Sequence, residues 1–112
     1  MEAEELACEF LTRQGLVTLK RNFSARTGEI DLVMLDGTIV VFVEVRSRKS
    51  NSHLHVLETI DFRKRKRIIR TSQLYLQNNR SLNYDQCRFD IILLTGNSNH
   101  RAVEWIKNAF EN

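Results

Sequence analysis

The chain has 112 residues, 42% of them hydrophobic and 28% charged, with a formal net charge of +3. That length supports a single domain over residues 1–112, and the composition excludes disorder. No apolar run approaches the ~20 residues a membrane-spanning helix needs. The acidic start, MEAEELACEF, has no signal-peptide pattern. Cys8 and Cys87 lie far apart in apolar surroundings and read as reduced core residues rather than a disulfide or metal framework. The expectation is a cytoplasmic protein with no membrane partner.

Ala3, Leu6, Ala7, Phe10 and Leu11 follow helical spacing, and Gly15 supplies the stop. A short strand follows over Val17–Asn22, then a polar loop from Ser24 to Gly28. Glu29–Leu35 is apolar except for Glu29 and Asp31 and reads as a strand buried on both faces. Asp36-Gly37 is a strong hairpin signal, and Thr38–Arg46 is a β-branched strand. Residues 47–57 read as a loop. A second helix over Thr59–Asn78 places Ile68, Ile69, Ser72, Tyr75 and Leu76 on one face. Cys87–Leu94 is a fourth strand, and the tail AVEWIKNAF packs Trp105, Ile106 and Phe110 onto the body. The order is αβββαβ with a terminal addition, an α/β fold with a four-stranded sheet.

The hairpin register carries the chemistry. With Asp36-Gly37 as a two-residue turn, Glu29 sits opposite Glu44 and Asp31 opposite Phe42. Alternation then projects Glu29, Asp31, Glu44 and Arg46 from one face, with Asp31 a diagonal neighbour of Glu44 at ~7–8 Å. Three carboxylates on an apolar sheet are costly and call for a neutralising partner. A divalent cation fits, with Mg²⁺ (or Mn²⁺) favoured because it accepts one or two carboxylates plus phosphate and water. The plainer alternative is an ion pair of Glu44 with Arg46 or with another basic residue at the rim of the sheet.

Nine of the seventeen basic residues fall between Arg46 and Arg70, where Glu58 and Asp61 are the only acids. The run Arg63-Lys64-Arg65-Lys66-Arg67, followed by Arg70, suits a polyanion, nucleic acid above all. Taken alone it reads as a solvated helix face; its acidic neighbours give it weight. His53-x-His55 lacks a third ligand for zinc. Arg88 and Asp90 read as a surface pair, and Tyr75, Tyr84 and Trp105 as core or surface anchors, although aromatics of this kind also stack on bases. No Ser-His-Asp set, Gly-rich phosphate loop or zinc-finger spacing appears.

The ordered set Gly28-Glu29-Ile30-Asp31-Leu32, then Phe42-Val43-Glu44-Val45-Arg46, resembles the YraN-type family of uncharacterised bacterial proteins. Ala3-Glu4, Ala7, Lys64, Arg88-Phe89-Asp90 and EWIKNAF extend the resemblance over nearly the whole chain. That family looks like a branch of the restriction-endonuclease-like PD-(D/E)XK superfamily, close to Holliday-junction resolvases. The resemblance implies a central mixed sheet flanked by helices and an Mg²⁺-dependent endonuclease. Asp31 and Glu44 would hold the metal, joined by Glu4, whose other role is to favour its helix N-terminus; Glu29 joins the candidate ligands from the hairpin register, not from the resemblance. Arg46 stands where the superfamily usually has lysine; arginine stays protonated and only stabilises charge or positions phosphate. Lys64 is the candidate substitute, or else an ordinary phosphate contact.

The leading expectation is therefore a nuclease cleaving DNA, including branched or structured DNA, with Asp31, Glu44, Arg46 and Lys64 catalytic. Arg48, Lys49, Arg63, Arg65, Lys66, Arg67 and Arg70 would hold the phosphate backbone without reading sequence. A homodimer would suit cleavage of both strands, although no residue pattern demonstrates one. The rivals are a non-catalytic nucleic-acid-binding module on the same fold and an assembly adaptor that meets an acidic protein partner.

Overall fold

A computed structural model describes residues 2–48, 60–97 and 100–111. Among the described residues two helices and five strands occur in the order α1 (Glu2–Arg13), β1 (Val17–Ala25), β2 (Gly28–Asp36), β3 (Ile39–Arg48), α2 (Phe62–Asn78), β4 (Gln86–Asn97) and β5 (His100–Phe110). The strands form one mixed sheet in sequence order, with β3 and β4 parallel and every other neighbouring pair antiparallel. Among the described residues each face carries one helix. Leu32, Met34, Val41, Val43, Ile92 and Leu94 pack with Ala7 and Leu11 of α1. Val33, Val40, Phe42, Phe89, Ile91 and Leu93 pack with Ile68 and Tyr75 of α2. This is the expected α/β class, and it is compatible with a restriction-endonuclease-like core.

The helix ends follow from local chemistry. After α1, the Gly15 N–H donates to the Thr12 carbonyl at 3.0 Å and the Leu16 N–H to the Leu11 carbonyl at 3.1 Å. Gly15 has φ 98°, so this is the Schellman stop that a glycine makes without strain, and Leu11 and Leu16 close it with an apolar contact. Asp61 caps α2, accepting from the Lys64 N–H at 2.9 Å. The expected start at Thr59 lies outside the described residues.

Three expectations need correction. The hairpin turn is Gly37-Thr38, not Asp36-Gly37: Asp36 pairs with Ile39 and Leu32 with Val43. Gly37, with φ 63°, takes the first central position, where a type II′ turn needs positive φ. The slip of two residues keeps the paired side chains, from Leu32 to Val43, on their expected faces. Second, the closing segment is a full strand, β5, so the sheet has five strands rather than four. It pairs β4, whose unpaired backbone groups would otherwise form an open edge.

Third, Arg88 and Asp90 are not a surface pair. Asp90 is wholly buried. It accepts from Arg88 Nε at 3.1 Å, from Trp105 Nε1 at 2.9 Å and from the Asn108 N–H at 2.9 Å. Arg88 continues to Asp36 at 3.0 Å. The β4–β5 register shifts between Phe89 and Ile91, and Asn108 has φ 52°, so Asp90 fills a bulge whose freed backbone N–H it satisfies.

Candidate metal and phosphate site

The site forms where the β2–β3 ladder ends. Beyond the Leu32–Val43 pair, Asp31 Oδ2 accepts from the Val45 N–H at 2.8 Å, so a side chain continues what the ladder would have supplied. Ile30 packs with the α2-side cluster and Leu32 with the α1-side cluster. Strand alternation therefore breaks at Asp31, and its carboxylate turns towards β3 rather than standing off the sheet.

Glu44 is 6% exposed and close enough to Asp31 for their carboxyls to hydrogen-bond. Burial, then the Asp31 charge, then that hydrogen bond push the Glu44 carboxyl up to about 8. Lys64 and Arg46 pull the other way without overcoming this. A cleft of ≈ 400 Å³ opens beside the pair, lined also by Gly28, Glu29, Arg46, Lys64 and Arg67. The Nε and Nη2 atoms of Arg46 are buried there without a hydrogen-bond partner among the described residues. Arg46 thus lends charge to Glu44 but forms no ion pair with it.

α2 supplies the cations, and its geometry divides the basic run. Lys64 and Arg67, three residues apart, share the flank that faces the cleft. Arg65, Lys66 and Arg70 lie on the other flank, beside Phe62 and Ile69. Arg63 is exposed, and Arg48 is half-buried at the end of β3, opposite Thr95. Lys49, His53 and His55 lie outside the described residues. Five consecutive cations near a helix N-terminus oppose the helix dipole, and no acid offsets them in the first turn.

Glu4 and Glu29 are placed differently from the central pair. Glu29 is exposed at the cleft. Glu4 is buried at 7% exposure on α1, which packs on the other face of the sheet. Its carboxyl is raised by burial and then by the charge of Asp31, with the N-terminus and Arg21 opposing. The Asn22 amide, turned with its nitrogen towards Glu4, donates to Oε2 at 2.8 Å and Oε1 at 2.6 Å. Among the described residues no three Asp, Glu, His or Cys side chains converge as a ready ligand set. Asp31 and Glu44 nevertheless fit a hard divalent cation: two carboxylates share a partly buried spot, and one is driven to keep a proton that a cation would replace.

Several positions escaped sequence reasoning. Asn22 sits in β1 with φ 53°, a conformation asparagine tolerates, and its pairing to Glu4 left no pattern to read. Gly28 has φ 146°, and a Cβ there would meet Thr71 Oγ1 at 3.4 Å. Thr27 and Thr71 hydrogen-bond at 2.7 Å, pinning the β1–β2 turn against α2 beside the cleft. Arg67 was read only as one cation among several; its i, i+3 spacing from Lys64 was the available signal.

The model of the uncharacterised protein family UPF0102 matches residues 3–94. A UPF0102 protein of Pseudomonas aeruginosa is 50% identical over 113 residues, covering 98% of this chain and 90% of its own length. One from Stutzerimonas stutzeri is 46% identical, covering 97% of this chain and 91% of its own length. One from Coxiella burnetii is 44% identical, with 97% and 88% covered.

Proposed function

We propose that this chain, which belongs to the uncharacterised protein family UPF0102, is a metal-dependent phosphodiesterase that cleaves DNA, with branched or structured DNA as the favoured substrate. One observation carries the reading: Asp31 and the buried Glu44 lie in contact, in a cleft whose remaining charged walls include Arg46, Lys64 and Arg67. An acid pair held at such cost beside three cations suits a site for a divalent ion and a phosphodiester. The basic start of α2 supports the same reading, because cations placed against a helix dipole serve something other than helix stability.

In this proposal Asp31 and Glu44 hold the cation. When bound, the cation supplies Lewis acidity, polarising a phosphoryl oxygen and acidifying water. Arg46 directs its unpartnered guanidinium nitrogens to the phosphate and stabilises charge as it develops. Lys64 stands on the facing helix and lowers the proton affinity of Glu44, which favours the ionised, cation-binding form. Arg67 holds the adjoining backbone.

A non-catalytic nucleic-acid-binding module is the second reading. It is favoured by the arginine at position 46 and by the lack of a third converging ligand among the described residues. Calorimetric titration with Mg²⁺ and Mn²⁺, alongside cleavage assays on linear and branched DNA, separates the two. The nuclease reading expects cation binding and metal-dependent cleavage, both lost in Asp31→Asn/Glu44→Gln. Salt-dependent DNA binding without cation binding or cleavage would establish the second reading instead.

A further inference from the structure

The outer flank of α2 carries a feature that the cleft does not use. Phe62, the first residue of the helix, is 68% exposed, the most exposed of the large hydrophobic residues described. Lys66 lies over its ring, with Nζ 4.6 Å from the centroid. Arg65, Ile69 and Arg70 continue the same groove, of ≈ 450 Å³, and Glu111 is its only acid among the described residues. Arg65 is anchored from Nε to the Ile60 carbonyl at 3.0 Å and stands 5.9 Å from the Phe110 ring. The groove therefore offers an aromatic face, apolar flooring and cations in one place.

We propose that this groove binds an unpaired nucleotide of the nucleic acid whose backbone occupies the cleft, with its base stacked on Phe62 and the neighbouring phosphates held by Lys66 and Arg70. The inference rests on the nucleic-acid reading above and deepens it by naming a substrate feature, a single-stranded segment beside the bound phosphodiester. Charge complementarity chooses the occupant. An exposed aromatic among cations suits a ligand that alternates planar rings with anions, and stacking is tolerant of sequence because every base has a π-face. The two sites lie on opposite flanks of the same helical turns. A strand leaving Lys64 and Arg67 has only to cross the ~10 Å width of one helix, over exposed Arg63, to reach Phe62. A duplex keeps its bases paired and stacked and has none to offer.

The test is fluorescence anisotropy of wild type, Phe62→Ala and Phe62→Trp with a labelled 20-nucleotide oligo-dT and a duplex of equal length. The high exposure of Phe62 makes both variants compatible with folding, which circular dichroism checks. Phe62→Ala is expected to weaken single-strand binding roughly 5- to 100-fold, the range of one lost base stack, while changing duplex binding less than about twofold. Phe62→Trp is expected to retain affinity and to show tryptophan quenching, beyond that of wild type, on adding the single strand. Equal loss on both probes, or none on either, would overturn the proposal while leaving DNA binding intact. Failure of wild type to bind either probe would overturn it together with the nucleic-acid reading. Quenching of the Phe62→Trp variant by polyglutamate but not by oligo-dT would assign the groove to an acidic protein and overturn the proposal as well.

Discussion

Two acids on adjacent central strands, Asp90 on β4 and Glu44 on β3, are almost equally buried, at 0% and 6% exposure, yet their surroundings are opposite. Asp90 is fully engaged: Arg88, Trp105 and the Asn108 N–H donate to it, and Arg88 is tied in turn to Asp36. Glu44 meets another carboxyl, its nearby cations make no hydrogen bond to it, and a cleft opens beside it. Burial alone therefore does not mark a functional acid. What distinguishes the site is an acid whose compensation is incomplete and whose open side faces a cavity.

The largest expected effect tests the satisfied member of the pair. Asp90→Ala leaves Arg88 without its buried partner and strands the Trp105 and Asn108 donors, so urea unfolding should show a loss of about 3–5 kcal/mol. A loss below about 1 kcal/mol would mean that water replaces the carboxylate, and the contrast with Glu44 would collapse.

Glu44→Gln is expected to behave in the opposite sense. The unfolded chain ionises this carboxyl near 4.5, whereas the folded protein keeps the proton to about 8. Between those values the folded state binds more protons than the unfolded one, so stability falls as pH rises, by at most ~1.4 kcal/mol per pH unit. Below the window both states are protonated and above it both are ionised, so the slope vanishes at either end. In metal-free solution Glu44→Gln should flatten that slope and be more stable than wild type at the alkaline end, while losing cation binding. Parallel pH profiles for the two proteins would show that Glu44 is not strained as described.

The contrast also explains what was legible in the sequence. Glu44 and Arg46 could be placed on one face because period-two alternation along β3 survives a two-residue slip of the turn, whereas the break of alternation at Asp31, which turns its carboxylate towards β3, left no sign in the pattern. The slip itself was invisible, since Asp36-Gly37 and Gly37-Thr38 are both acceptable turns and packing chooses between them. Asp90 was misread because a strand of alternating charge and apolarity looks half-exposed until β5 covers it. That strand was hidden in turn by Asn108, whose bulge interrupts the pattern. Lys64 and Arg67 could be read as cations, but their separation from Lys66 and Arg70 needed the α2–sheet docking. One contact of that docking, Gly28 beside Thr71, leaves only a glycine in the sequence.

Gly28→Ala should sharpen the comparison at moderate cost. Its φ of 146° is unfavourable for an L side chain, while the new Cβ would meet Thr71 Oγ1 at an ordinary contact distance of 3.4 Å. A loss of about 1–3 kcal/mol is expected, together with weaker cation binding, because the strained backbone of the β1–β2 turn that borders the Asp31–Glu44 cleft must relax. Asp90 lies on the far side of β3 and its network should be undisturbed, as Trp105 fluorescence can report. Loss of stability with unchanged cation affinity would show that the cleft does not depend on this turn.

The smallest effect comes from comparing the two arginines directly. Arg88 is bonded to its acids, while Arg46 lends only its field to Glu44. Arg46→Gln removes no hydrogen bond and should change stability by less than about 1 kcal/mol. Removing that positive charge should move the Glu44 titration above its value of about 8, observable from the Glu44 side-chain carboxyl carbon by NMR. A downward shift would mean that the Arg46 charge does not act on Glu44; a stability loss as large as that of Asp90→Ala would mean that Arg46 pairs with Glu44 in solution. The two acids would then differ in degree of satisfaction rather than in kind, and the guanidinium would no longer be free to meet a phosphate.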